Sequence, residues 1–234
     1  MKTITILIVG IILLYSQACH QEKQKDNAAN EKVEKTEAKI DTNKVVFQNL
    51  DQILSPFEDM VEFALEKNEE GISNSFTKVE EAIKEEVFSK NLNPENMKLL
   101  TPKIEQLKGF VKLKNYEQIA LAATDIFEFN ISNFVDTKKI ENQIRIEHLD
   151  YMGFKILALL NQEKIDWQNI EQTISSVQKE WSVLSPNVKD NNLKDSFEYL
   201  FNGLHLSAKN KDQKMAEILS SMDLSLVDVL ENSF

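Results

Sequence analysis

Large apolar residues recur every three or four positions from about residue 46 to residue 234, and this spacing constrains the fold more than any other feature of the chain. One such stripe consists of Trp167, Ile170, Ile174, Val177, Trp181 and Leu184. The spacing matches the 3.6 residues of a helical turn, so each helix presents one face for burial. No convincing two-residue alternation of the kind that predicts strands is present. The sequence therefore predicts an all-α fold.

Short connections separate the predicted helices in the second half of the chain, and short connections favour antiparallel neighbours. We therefore expect an antiparallel up-down helical bundle of four to five helices over residues 115–234. Its helix near 116–135 is apolar on most of its circumference, which predicts that it is the most buried. Additional N-terminal helices are expected over residues 46–114, where they either cap the bundle or form a small subdomain.

Each of the four prolines follows a residue that caps helices well: Ser55-Pro56, Asn93-Pro94, Thr101-Pro102 and Ser185-Pro186. Proline loses no hydrogen bond at the first helical position, because its N–H would be unpaired there. We therefore expect the prolines to mark helix starts, although Ser185-Pro186 could equally open a loop. Ser55 and Glu58 also have the spacing of a capping box.

The first 45 residues have a different character. A short basic start (residues 1–3) precedes a twelve-residue apolar run (residues 4–15), which has the length of a signal-peptide core and is short for a membrane span. The small residues Ser16-Gln17-Ala18 then lead to Cys19, the only cysteine. This arrangement resembles the export signal of bacterial lipoproteins. The family usually has Leu, Val or Ile where this chain has Ser16, so the motif is a relaxed one.

The resemblance implies a signal peptide over residues 1–18 and an acylated Cys19 that anchors the chain to a membrane. It implies an exported protein of the bacterial cell envelope, at the outer membrane or on the periplasmic or surface face. Ordinary secretion, with cleavage after Ala18 and no lipid, is the alternative. Residues 19–45 are poor in apolar side chains and balanced in charge, which predicts a disordered tether.

Two histidines outside the tether are candidate ligands. His148 and His205 each lie at the edge of an apolar helix face, and histidine is a favoured metal ligand and proton shuttle. A histidine at such an edge is more often a boundary residue of the core. We therefore keep both as candidate ligand or metal residues, with the metal unknown.

Acidic residues give a second set of candidates. Asp125 and Glu128 share a helix face, and paired carboxylates can hold a cation or perform acid–base chemistry. The simpler interpretation is a solvated stripe. Asp223, Asp228 and Glu231 in the last helix have the same ambiguity.

Sequence motifs of known chemistry are missing. The chain contains no glycine-rich phosphate loop, no nucleophile elbow, no His-Glu-x-x-His and no Glu-x-x-His pair of a di-iron bundle. A net charge of −11 disfavours nucleic acid and anionic lipid as partners. We therefore predict neither an enzyme nor a resident cofactor.

Three functions remain. The leading hypothesis is a membrane-anchored envelope lipoprotein whose helical domain binds a partner protein or acts as an adaptor. The second is a bundle that binds a metal, haem or small ligand through the histidines or the acidic pair. The third is a surface lipoprotein that binds host factors.

Overall fold

The computed structural model describes residues 42–234, with only the backbone of Thr42. The predicted signal peptide, Cys19 and nearly all of the predicted tether lie outside these residues. Within them the chain is all-α, as predicted, and contains no β-strand; one isolated antiparallel bridge joins Leu92 and Phe134. The α-helices are α1 (Thr42–Leu65), α2 (Glu69–Lys84), α3 (Val87–Asn91), α4 (Pro94–Leu113), α5 (Tyr116–Asn133), α6 (Glu141–Leu160), α7 (Trp167–Leu184), α8 (Asn191–Asn210) and α9 (Gln213–Glu231).

Helices α1 to α5 enclose the first of two apolar clusters. Helix α1 packs against α5 and α2, and α5 also contacts α4 and α6. The rings of Phe57 and Phe88 meet edge to face inside this cluster, with their centroids 6.4 Å apart. Two residues of α6, Phe154 and Ala158, complete it.

Helices α6 to α9 enclose the second cluster. Each packs against the next in the chain, and α9 also packs against α6. Trp181 and Phe197 stack with their centroids 4.5 Å apart, and the indole N–H of Trp181 donates to Glu198 at 2.8 Å. Helix α6 contributes residues to both clusters and thus lies between them.

The prolines mark helix starts less often than predicted. Pro94 opens α4, and the Asn93 side chain accepts a hydrogen bond from the Asn96 N–H at 2.8 Å. Pro56 and Pro102 instead lie inside α1 and α4, so those two predictions are wrong. Each costs the helix one backbone hydrogen bond, and burial of the surrounding apolar face outweighs that loss.

The predicted capping box at Ser55 is therefore also wrong, because α1 begins at Thr42. Pro186 lies in a 3₁₀ helix, Ser185–Asn187, and a second 3₁₀ helix spans Thr137–Lys139. Between α1 and α4 the chain forms two helices, α2 and α3, which are separated by Glu85 and Glu86; Glu86 has a left-handed backbone (φ 62°).

Helices α6 and α9 approach closely at Gly153. A Cβ atom there would stand 2.6 Å from Leu224 Cδ2 and 3.1 Å from Asp223 Oδ2, so a side chain at this position would have to displace that of Leu224. Across residues 42–234, no helix combines the length and the apolar character that crossing a membrane requires.

Candidate functional site

Three of the predicted site residues lie together between α5 and α6. Asp125 accepts a hydrogen bond from the Lys155 ammonium at 2.6 Å, and Glu128 lies 3.2 Å from His148 Nδ1. Ser132 also donates to Glu128 at 3.1 Å. The arrangement is a pair of inter-helix ion contacts in which each acidic side chain already has a partner.

His205 belongs to a different pair of helices. Its two ring nitrogens lie 2.8 Å from Glu171 and 3.0 Å from Gln178, both on α7. These contacts connect α8 to α7. Among the described residues no three His, Cys, Asp or Glu side chains are grouped so that they could hold a metal ion. A ligand role for His148 or His205 stays a prediction.

A cleft between α1, α6 and α9 gathers far more charge. Helices α1 and α9 both pack on α6 and hardly touch one another, so α6 forms the floor of the cleft and the other two form its walls. The cleft has a volume of about 380 Å³. It is lined by Phe47, Asp51, Glu58, Asp59, Glu62, Glu147, Asp150, Phe154, Leu224, Asp228 and Glu231.

Eight of these lining residues are acidic and none is basic. Asp59 has partners outside the cleft, because it accepts from Lys78 at 2.8 Å and from Ser75 at 3.4 Å. The side chains of the other seven carboxylates form no hydrogen bond or ion pair with any residue in the part of the chain that the structure describes. The lining of the cleft therefore concentrates negative charge, and no basic side chain in that lining offsets it.

Glu147 is the most enclosed of these carboxylates. Its side chain lies on the floor of the cleft, and the residue is only 5% exposed. Burial raises its pKa well above the usual value, and the charges of Glu58, Glu231 and Asp51 raise it further. An unpartnered carboxyl in such surroundings costs folding energy when it ionises, because burial disfavours its charge and its neighbours are acidic as well.

Burial and neighbouring acidic charges also raise the pKa values of other carboxylates around Glu147. Burial and the charge of Asp150 raise the pKa of Glu58, and burial and the charge of Glu147 raise the pKa of Asp150. Glu62 and Glu231, nearer the rim, also have raised pKa values, for which burial is the largest cause. Among Glu58, Glu147 and Asp150, ionisation of one group therefore disfavours ionisation of another.

Beneath this cluster lies Asp223, which is fully buried (0% exposed). Neither of its carboxyl oxygens has a hydrogen-bond partner within the described residues. Burial raises its pKa well above the usual value. It adds to the charge that acts on Asp150 and lies against the backbone of Gly153.

The cleft continues into a second cavity of about 510 Å³ at the N-terminal end of α1, and Lys44 is one of the residues that line this cavity. The two cavities share Phe47, Glu147 and Glu231. Together they form an elongated groove that follows α1.

Sequence reasoning identified part of this cleft and missed the rest. It singled out Asp228 and Glu231, which line the cleft, and Asp223, which lies below it. It missed Asp51 and Glu62 on α1 and Glu147 and Asp150 on α6, and it assigned Glu58 to a helix cap. A signal was present: Asp51, Glu58 and Glu62 recur at intervals of seven and four and so share one face of α1.

Comparison of the chain with protein-family models, with curated proteins and with solved structures gives no significant match.

Proposed function

We propose that this chain is an exported, lipid-anchored envelope protein whose helical domain acts as an adaptor. In this proposal the domain binds a basic segment of a partner protein in the cleft between α1, α6 and α9, and it performs no chemical reaction. The single observation that carries the proposal is the set of seven unpartnered carboxylates that line the cleft, with Glu147 buried among them.

Complementary charge is the physical reason. A cleft that lacks basic side chains presents a concentrated negative potential, which attracts and orients a positive partner. Ionised carboxylates that repel one another in the free protein gain attractive neighbours in the complex. Binding therefore offsets the electrostatic repulsion that remains between carboxylates in the folded, free protein.

The length of the groove supports a peptide segment as the occupant. Its lining runs along α1 from Phe47 to Glu62, a distance of about 22 Å at 1.5 Å per helical residue. An extended chain of roughly six or seven residues covers that distance. Carboxylates recur along it on both walls, so several basic side chains can be bound at once.

For the remaining architecture we propose the up-down bundle expected from the short connections. Its support is that α5 to α9 each pack against the next helix in sequence and that α9 packs back on α6. In this arrangement α6 is a rigid floor, held from both sides by packed helices.

Anchoring is tested at Cys19. We expect the Cys19→Ala variant of the full chain to be released from membranes when its host cells are fractionated, because acylation requires the thiol. A variant that is processed normally and still sediments with membranes would exclude the acyl anchor.

Partner binding is tested by charge removal at the rim of the cleft. The test variant carries Asp51→Asn, Glu62→Gln and Asp228→Asn. A matched control carries Glu81→Gln, Glu95→Gln and Glu163→Gln, which remove the same number of charges at exposed positions outside the cleft lining. After crosslinking in the source envelope, we expect the wild type and the control to retain a common basic protein that the test variant loses. Equal retention by all three would refute the proposed function.

A further inference from the structure

Glu147 lies deeper than the carboxylates of an ordinary charged surface. It is nine-tenths buried, faces the cleft and has no partner among residues 42–234. On the basis of the proposed function, we propose that the floor of the cleft is a subsite for one alkylammonium group, supplied by a lysine side chain of the partner that inserts between α1 and α9 to reach Glu147.

The distribution of the carboxylates over three helices favours an ammonium head. Glu58 comes from α1, Glu147 and Asp150 from α6, and Glu231 from α9. An ammonium group has three donors that point in different directions, so it can face carboxylates from three helices. A guanidinium group is planar and best matches a single carboxylate lying in its own plane.

The apolar lining favours a side chain with a hydrocarbon stem. Phe47, Phe154 and Leu224 line the same cleft as the carboxylates. A lysine buries its methylene chain against such surfaces while its charged end reaches a polar group. A lysine side chain thus matches both the apolar residues and the carboxylates of the cleft lining.

A bare metal ion fits less well. Calcium and magnesium need several oxygen ligands that converge at short distances. No three acidic or histidine side chains in the described part of the chain are grouped in that way.

Proton release is a consequence of this geometry. The charges that act on Glu147 are those of Glu58, Glu231 and Asp51. The other titratable groups around it are Glu62, Asp150 and Asp228, which line the same cleft, Asp223, which acts on Asp150, and Lys44, which lines the neighbouring cavity. Burial and mutual repulsion raise the pKa values of Glu58, Glu147 and Asp150 in the free protein. An inserted ammonium group favours the ionised forms, so binding displaces protons.

The test is calorimetry on the full chain in detergent micelles at low ionic strength. The probes are a blocked tetralysine peptide, the same peptide with every lysine acetylated, and spermidine. Each titration is repeated in two buffers with different ionisation enthalpies, which gives the number of protons released. The variants are Glu147→Gln and the matched control Glu163→Gln, each checked for folding by thermal melting.

We expect tetralysine to bind with proton release and its acetylated form not to bind. We expect Glu147→Gln to weaken binding roughly ten-fold or more and to release fewer protons, because a buried charge-assisted contact is lost. The Glu163→Gln variant should match the wild type. A smaller number of protons released on binding would distinguish a residue that contacts the ligand from one that only supports the fold.

Other results would overturn the proposal. Unchanged tetralysine affinity in a folded Glu147→Gln variant would exclude the floor subsite and leave binding at the rim, and hence the proposed function, intact. Binding of spermidine without tetralysine would assign the subsite to a free polyamine and exclude a partner's lysine. Binding of neither probe would exclude an alkylammonium subsite, and the crosslinking experiment would still decide the proposed function.

Discussion

Helix α6 has charged residues on two sides, and the two sides differ in how those charges are balanced. Towards α5, Lys155 and His148 contact Asp125 and Glu128, so each of these four side chains has a partner. Towards α1 and α9, Glu147 and Asp150 face other carboxylates and have no partner in the described chain. The same helix thus forms a structural ion-pair interface on one side and an unbalanced acidic cleft on the other.

The difference indicates which side is available for binding. An interface whose charges are already paired gains little from a ligand, because the ligand would have to displace an existing partner. The cleft has the opposite property, since its carboxylates destabilise one another until a cation arrives. Stability measurements therefore distinguish the two sides, because neutralising an acid on each should change stability in opposite directions.

The largest effect is expected at Asp125. The Lys155 side chain is 7% exposed, so Asp125→Asn leaves a buried ammonium group without its counter-charge. We expect the free energy of unfolding to fall by about 2 kcal/mol. Asp136→Asn is the control, because its partner Lys139 is exposed and loss of such a pair costs less than about 1 kcal/mol. Equal losses at the two positions, measured by denaturant unfolding, would refute the comparison.

A lysine introduced into the cleft should make the two sides of α6 more alike. Glu58→Lys places an ammonium group among Asp150, Asp51 and Glu231, whose charges act on that position. We expect the free energy of unfolding near neutral pH to rise by about 1–2 kcal/mol, because repulsion becomes attraction. Tetralysine affinity should fall in parallel. A destabilised variant with unchanged peptide binding would contradict the account.

Glu147→Gln should raise the free energy of unfolding near neutral pH, because the amide removes a charge that burial and acidic neighbours disfavour. The native pKa of Glu147 lies above the value of 4.5 expected for an ordinary glutamate, so the native state binds more protons than the unfolded state over the interval between the two pKa values. Wild-type stability must therefore fall as pH rises through that interval.

The matching measurement is denaturant unfolding at a series of pH values from mildly acidic to neutral. The Glu147→Gln variant should show a shallower decline with rising pH than the wild type. Parallel curves would show that Glu147 titrates as an ordinary exposed acid.

The smallest effect is expected at Glu128. Its contact with His148 is partly exposed on both sides, so Glu128→Gln should lower the free energy of unfolding by less than about 1 kcal/mol. Thermal melting compared with Glu163→Gln measures the difference. An increase in stability would show that this side of α6 is also electrostatically unfavourable.

Periodicity was sufficient to predict the all-α fold and the positions of most helices, because a buried face leaves a regular apolar pattern. Sequence alone did not reveal that Pro56 lies within a helix, because Ser55-Pro56 has the pattern of a helix start. The helix continues through Pro56 because burial of its apolar face on both sides outweighs the lost hydrogen bond. The pairing of Asp125 with Lys155 could not be predicted either, because it depends on how α5 and α6 pack.

The cleft is a tertiary feature in the same sense. Glu147 lies in α6 between Ile146 and His148, and nothing local to the sequence shows which of its neighbours face the core. Asp51 and Glu58 share a face of α1, but the pattern does not show that the same face meets α6 and α9. Only the packed structure brings carboxylates from these three helices to one place.

The most direct test of the central claim is the titration of the Glu147 carboxyl group, followed by carbon NMR in the selectively labelled full chain with and without tetralysine. We expect a midpoint well above that of an ordinary glutamate, and a downward shift when the peptide is added. A midpoint in the ordinary range that the peptide leaves unchanged would show that the floor of the cleft is neither electrostatically unfavourable nor a cation-binding site.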